Sequence, residues 1–466
     1  CRSRTEKKFK MENTLKLFEE IAVELLQDEK INPVAEYIPS ENLFESIDIA
    51  LNKNGISDLE LKKVLKDLVL KTPRTATKSF FNQLFGGRND KAVLGDLLAV
   101  MLNNSMYTYK AGGPQIGVEK ILIRKICDMI GWDKTSNGTI APGGSMTNFM
   151  ALLMARDAHD TLIPYAGVNK KMTVYTSKES HYSIAKNATF AGIGRDQVRY
   201  IDTDDQGVMS ITNLSQVVEE DVMNGYSPVM VNCTAGTTVL GAFDPIIEAR
   251  EICDRHNMWL HVDGAYCGSV LWSKKYGHLI EGVELVDSFS VNAHKMIGTP
   301  LSCSVIVVKN EKHLHDSFSN DASYLYQTDQ DDFNPGKTSI QCGRRNDALK
   351  FWTLWKSVGT SGIEEIVDHQ FALADCARNY IKSNPDYKLY SFDDSISVCF
   401  NYKDIPARTL CTALYEKSEL MVGYGSFQED EFVRFVTINA QNSKEEIFEF
   451  FRVLEEFAEA ELGVEV

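Results

Sequence analysis

Two short stretches of this chain carry side chains suited to covalent chemistry on an amine. In residues 288–298, SFSVNAHKMIG, a strand-like run to Val291 delivers His294 and then Lys295. A lysine offered at the end of a buried strand is partly desolvated, which lowers its pKa and frees its amine to form a Schiff base. In residues 259–266, WLHVDGAY, a second strand-like run delivers Asp263, a carboxylate able to keep a ring nitrogen protonated so that the ring accepts electrons. His181, in SHYSI, supplies a flat group to stack on such a ring. The turn Pro142-Gly143-Gly144 followed by Ser145 opens a helical pattern, and its free amides and positive dipole end suit a phosphate. Lysine, acid, stacking group and phosphate cradle are together what pyridoxal phosphate requires. Singly, each has a plain structural explanation: Asp263 could end a strand, and His181 could be a satisfied core histidine. Their joint occurrence, in this order, argues against coincidence.

The surrounding pattern tells which elements position these residues. From residue 172 the β-rich runs 172–177, 198–202, 228–235, 259–266, 288–294 and 303–309 alternate mostly with helical stretches such as 244–256. Continuous apolar strands alternating with helices predict an α/β fold with a mainly parallel sheet covered on both faces. His181, Thr234, Asp263 and Lys295 fall near strand ends, the edge where open α/β sheets bind ligands. Upstream, helical spacing at Leu15, Phe18, Ala22 and Leu25 and again over 57–70 predicts an N-terminal helical segment, 1–75, with little core of its own. It is expected to pack on something else, a second subunit being the natural choice. Residues 76–345 read as a large cofactor-binding domain, closed by a long polar loop at 323–345. A helix over 347–359 leads into a smaller C-terminal α+β domain, 346–466, with strands near 396–402 and 431–438. That domain ends in a helix carrying the capping box Ser443/Glu446.

Bulk properties narrow the function classes. The chain has 466 residues, 44% hydrophobic and 24% charged, with a formal net charge of −16. That balance repels nucleic acid and anionic membranes, so neither is an expected partner. The ten cysteines form no CxxC pair and read as reduced core thiols of a cytoplasmic protein, with no metal site. No apolar run is long enough to span a bilayer, and the basic opening CRSRTEKKFK reads as a frayed tail.

The segments FFNQL, IGW, PGGS, SHYSI, TAGTTVLGAFDPI, LWKSVGT and MVGY, spread from Phe80 toward the C-terminal helix, resemble the group II pyridoxal phosphate decarboxylases. The similarity is to the branch holding glutamate decarboxylase and cysteine sulfinate decarboxylase. It implies fold type I with a seven-stranded sheet, a homodimer with active sites at the interface, and loss of the α-carboxylate as CO₂. It also implies that Thr234 and Ala265 line the ring and that Asn292 and His294 help Gly144 and Ser145 with the phosphate. On the substrate side it points to Arg434 as the clamp on a carboxylate, with Gln83 beside the substrate. The branch-distinguishing positions are Phe85, Ser105 and Tyr107, a set resembling cysteine sulfinate decarboxylase. A bulky Phe85 and a Tyr107 hydroxyl shorten the pocket and add a donor, favouring cysteine sulfinate (to hypotaurine) and cysteate (to taurine).

The alternatives are an aspartate or glutamate decarboxylase, an oxidative aldehyde-forming enzyme, and a catalytically silent binding protein of the same fold. Three departures from the family pattern bear on these. Ala293 replaces a proline before His294-Lys295, residues 109–114 read YKAGGP where relatives read YEIAP, and Phe333 stands at the position of a loop tyrosine that donates a proton in glutamate decarboxylases. His181 or Tyr326 is the expected substitute donor.

Overall fold

In the computed structural model, which describes residues 10–319 and 331–463, the apolar runs assemble into one seven-stranded sheet. Its strands are β1 (Asn137–Ala141), β2 (Met172–Ser177), β3 (Val198–Ile201), β4 (Ser227–Thr234), β5 (Trp259–Gly264), β6 (Ser288–Asn292) and β7 (Ser304–Val308), in the order β1-β7-β6-β5-β4-β2-β3. From β6 to β3 every pairing is parallel, while β7 runs antiparallel to both β6 and β1. β2, β5, β6 and β7 are buried at every residue. Helices on both faces require this, and it is why these strands read as unbroken apolar runs rather than alternating ones. The sequence reading placed six of these strands and missed β1. Five residues beginning Asn-Gly are too short and too turn-like to show a period, and pairing with β7 is what makes them a strand. Cys127, Cys233, Cys253 and Cys303 are free thiols buried in the core.

At the N-terminus, the helices Lys10–Asp28 and Asp58–Leu70 pack on each other and are tied by ion pairs Lys62–Glu20 and Lys66–Glu24. Arg88 holds Glu29 through two parallel bonds of 2.9 and 2.8 Å, which joins the segment to the body. Leu15, Phe18, Val23 and Leu26 stay exposed on the first helix. No described helix is long and apolar enough to cross a membrane.

The C-terminal region builds an antiparallel sheet, ordered β10-β11-β9-β8, from β8 (Tyr387–Leu389), β9 (Ser397–Tyr402), β10 (Gly423–Phe427) and β11 (Asp430–Val436). β8 and β10 escaped the sequence reading because one is three residues long and the other, GYGSF, is rich in glycine. The closing helix Lys444–Leu462 has the anticipated capping box, and Ile447, Phe450, Phe451 and Leu454 on its inner stripe are fully buried. Each such side chain stabilises the region by roughly 1.5–3 kcal/mol. The helix expected over 347–359 runs instead from Ala348 to Ser383. Gly359 breaks it with φ +72°, a conformation glycine adopts without steric cost, and burial of Ile363, Val367 and Phe371 restarts it.

One buried cation organises the approach to this helix. The Arg344 guanidinium pairs with Glu119 at 2.6 Å and donates to the carbonyls of Met106 (2.8 Å) and Ile140 (2.9 Å) and to Thr139 Oγ1 (3.0 Å). Both partners of the ion pair are 3% exposed, so their charges are satisfied entirely by protein groups.

Candidate active site

β4, β5 and β6 lie side by side and end together. Thr234 stands opposite Asp263, and Asp263 opposite Ser290. Past β6 the chain turns at once: the Lys295 amide donates to Asn292 O (3.1 Å) and the Thr299 amide to Ala293 O (3.0 Å). This turn is pinned by its own backbone, and so the proline replaced by Ala293 is not needed to hold it.

At this edge lies a cavity of about 210 Å³. Its wall contains all the residues expected to hold the cofactor: Gly144, Ser145, His181, Thr234, Asp263, Ala265, Asn292, His294 and Lys295. Asn148, Tyr182, Gly236, Thr238 and Tyr266 complete the lining. Lys295 Nζ sits 5.9 Å from the centre of the Tyr266 ring. Enclosure pushes the Lys295 amine below the usual lysine value and the charge of Arg434 adds to the effect, against the opposing pull of Asp263 and Cys267.

The other side chains of the wall are poised by local hydrogen bonds. Asp263 accepts from the Ala265 amide (3.0 Å) and from Asn148 Nδ2 (2.7 Å). His181 accepts the Ser183 amide at Nδ1 (3.2 Å), leaving the proton of a neutral ring on Nε2. Burial, with the charge of Lys295, lowers the His181 pKa and keeps that neutral form dominant. His294 Nδ1 accepts the Cys303 amide (2.9 Å), and burial pushes this ring down to about 4.

One end of the cavity is shaped by the helix Gly144–His159. Met146 and Thr147 turn their amides back to Gly143 O, which leaves the Gly144 and Ser145 amides at the open end of the helix. A Cβ on Gly144 would come within 3.0 Å of both Ala265 Cβ and Asn292 Nδ2, so that position is kept clear. Asn292 Oδ1 is buried without a partner among the described residues. A lysine, an acceptor-only acid, a flat neutral ring and a clear-walled helix end fit pyridoxal phosphate.

The substrate-side expectations fare differently. Arg434, on β11, donates to Thr238 O (3.1 Å) and Asn82 O (2.9 Å). It shares a neighbouring cleft of about 430 Å³ with the exposed Gln83. Phe85 packs on Phe80 with ring centres 5.8 Å apart. Ser105 Oγ accepts the Arg344 amide (3.1 Å), and Tyr107 O accepts the Gly336 amide (2.8 Å). None of Gln83, Phe85, Ser105, Tyr107 and Arg434 lines the Lys295 cavity of its own chain. Phe333 rests edge-on against Tyr109 (5.6 Å), with Lys120 Nζ 4.9 Å from its ring centre. Tyr326 lies outside the described residues. The sequence reading missed Asn148, yet a signal existed: it stands four residues after Gly144 and so on the same helix face, a polar side chain where the sheet should bury an apolar one.

Sheet order and site together define a fold type I enzyme that uses pyridoxal phosphate. The chain belongs to the pyridoxal-dependent decarboxylase family, whose conserved domain matches residues 42–403. It is 35% identical over 438 residues to the acidic amino acid decarboxylase GADL1 of Mus musculus, covering 89% of this chain and 80% of that protein. To the cysteine sulfinic acid decarboxylase of Homo sapiens it is 35% identical over 375 residues, covering 79% and 76%. Among solved structures, mouse CSAD in its apo form superposes with a TM-score of 0.90 at 29% identity, covering 95% of this chain and 98% of that one.

Proposed function

We propose that this decarboxylase acts on small acidic amino acids, with cysteine sulfinate its preferred substrate, hypotaurine the product and cysteate the route to taurine. The observation that carries the acidic substrate class is Arg434. Two backbone carbonyls fix its guanidinium between the Lys295 cavity wall and the Gln83 cleft, and its buried Nε has no partner among the described residues. Donors remain for a carboxylate or sulfinate. The relatives named for acidic amino acids and for cysteine sulfinic acid support the same reading.

In this reading Lys295 offers the cofactor an amine whose pKa burial lowers, and Asp263, receiving only donors from the protein, would hold the ring nitrogen. When bound, the cofactor supplies the sink for the electron pair released as CO₂ departs. Arg434 takes the substrate anion, with Tyr107 of the partner subunit and Ser105 of the partner subunit beside it, and holds the bond to the α-carboxylate in the orientation that breaks. His181 is the described side chain that could return a proton to the α-carbon, the role that Phe333 cannot fill; to do so its neutral ring must first take up a second proton on Nδ1, giving up the Ser183 amide. Phe85, Ser105 and Tyr107 do not reach their own cavity, which supports a homodimer in which they face the partner's site. Exposed Leu15, Phe18 and Leu26 on the first helix and Leu94, Leu98 and Met101 on the helix Asp90–Leu102 supply apolar surface for that contact. We place the enzyme in the cytoplasm.

The test is CO₂ release with product identification from equal concentrations of cysteine sulfinate, cysteate, aspartate and glutamate, with added pyridoxal phosphate. Dominant hypotaurine formation is the expected result. Preference for aspartate or glutamate would overturn the substrate reading, and release of ammonia and peroxide with CO₂ would instead identify an aldehyde-forming enzyme, the reading that Phe333 favours.

A further inference from the structure

Behind Asp263 runs a buried chain of hydrogen bonds that the reaction as described does not use. Asn148 gives one amide hydrogen to Asp263 Oδ2 (2.7 Å) and the other to Ser183 Oγ (3.1 Å). Its Oδ1 lies 3.2 Å from His261 Nε2, and His261 Nδ1 lies 2.8 Å from Ser288 Oγ, which itself accepts the Trp259 indole N–H (2.8 Å). Asn148 is 1% exposed, and His261 and Ser288 are fully buried.

These contacts determine one another. An ionised Asp263 requires the NH₂ end of Asn148, so Asn148 Oδ1 must point at His261 and needs a donor. Nδ1 lies 2.8 Å from the Ser288 hydroxyl and 3.2 Å from the Ser288 carbonyl oxygen, but Asn148 Oδ1 can only accept and so places the proton of the neutral ring on Nε2, leaving Nδ1 to accept the Ser288 hydroxyl, whose oxygen is already engaged by Trp259. Burial pushes His261 down to about 4, so the ring stays neutral and the polarity stands. Every link from Trp259 to Asp263 donates in the same direction. With the Ala265 amide on Oδ1, Asp263 meets donors at both oxygens. The titratable groups facing Asp263 are Lys295 and His181 across the cavity and His261 behind it.

We propose that Asn148 and His261 are positioning residues of this enzyme: they present Asp263 to the cofactor ring nitrogen as a fixed acceptor and so govern how firmly that nitrogen keeps its proton. The proposal rests on the assignment of Asp263 as partner of the ring nitrogen.

His261→Gln and His261→Met separate the idea from simple packing. The glutamine amide can still donate to Asn148 and accept from Ser288, whereas methionine fills the space and can do neither. The measurement uses the full-length holoenzyme, reading the cofactor dissociation constant by absorbance titration and the pH midpoint of the absorbance of the Lys295-bound cofactor. His261→Met is expected to raise the dissociation constant ~10-fold, the scale of one hydrogen bond to a charged group, and to move the midpoint. His261→Gln is expected to stay within about twofold of wild type, since both hydrogen bonds survive. If His261→Met does not fold, Asn148→Ala breaks the chain from its other end and takes its place in the comparison. An unmoved midpoint in the methionine or alanine variant, or a glutamine variant as impaired as methionine, would overturn the proposal. Asp263→Asn guards the premise: if it binds and absorbs like wild type, the assignment of Asp263 fails, whereas loss in Asp263→Asn beside an unaffected His261→Met removes only the role given to His261 and Asn148.

Discussion

The residues expected to hold the cofactor come from the ends of β4, β5 and β6, the turn after β2 and the start of one helix, and they meet in a single cavity of one chain. The residues expected to choose the substrate, Phe85, Ser105 and Tyr107, come from segments upstream of the sheet, and none reaches that cavity. Parallel strands that end in register bring their final side chains together with no further instruction. Loops need a second surface to complete what they start, and in a symmetric dimer that surface is the same chain again. On the proposed dimer, one half of the site is a property of the fold and the other a property of assembly.

The strongest test of this contrast is Lys295→Ala, expected to abolish the absorbance of the bound cofactor and to lower turnover by at least about 10³-fold. Co-expressed with a chain inactivated at Tyr107, it should recover roughly a quarter of wild-type activity, because a random mixture of symmetric dimers rebuilds one intact site in each mixed pair. No recovery would place both halves in one chain and break the comparison. Arg434→Lys should cost roughly 10–100-fold in kcat/KM toward acidic substrates, since a single ammonium cannot replace a fork held by two carbonyls. Its cofactor affinity should stay near wild type, and steady-state kinetics beside an absorbance titration check both.

Exchanging Phe85→Ser together with Tyr107→Phe should shift the ratio of cysteine sulfinate to glutamate turnover by about 10-fold toward glutamate, read as product ratio in a competition assay. The smallest effect at neutral pH is on stability. His261 and His294 are both held at about 4 in the folded protein, against about 6.5 in an unfolded chain. Well above pH 6.5 neither ring binds a proton in either state and stability is unaffected. As pH falls from about 6.5 toward about 4 the unfolded chain takes up protons that the folded rings refuse, and each ring withdraws up to about 3 kcal/mol. Urea melts between pH 7 and 4.5 should show this slope, and a double variant His261→Gln, His294→Asn should flatten it.

What could be read beforehand follows the same division. Lys295, Asp263 and Thr234 were legible because an apolar strand interrupted by a reactive residue carries its own position. β1 and β10 were not, because neighbouring strands rather than their own composition make them strands. Asn148 went unseen for a related reason: its meaning lies in Asp263 and His261, more than a hundred residues away in sequence. The distinguishing set Phe85, Ser105 and Tyr107 was visible as residue types, but none of the three lines the Lys295 cavity of its own chain.

Arg344 fixes the backbone around Met106 from inside the core, through the Met106 carbonyl and its own amide on Ser105. The side chain at 107 therefore stands on a support that does not depend on what it is, whereas the Ser105 hydroxyl is itself part of that support. In evolutionary terms, on the proposed role of Tyr107, the substrate range of such a chain can drift by substitution at 107 while the Met106 backbone beside it stays where it was.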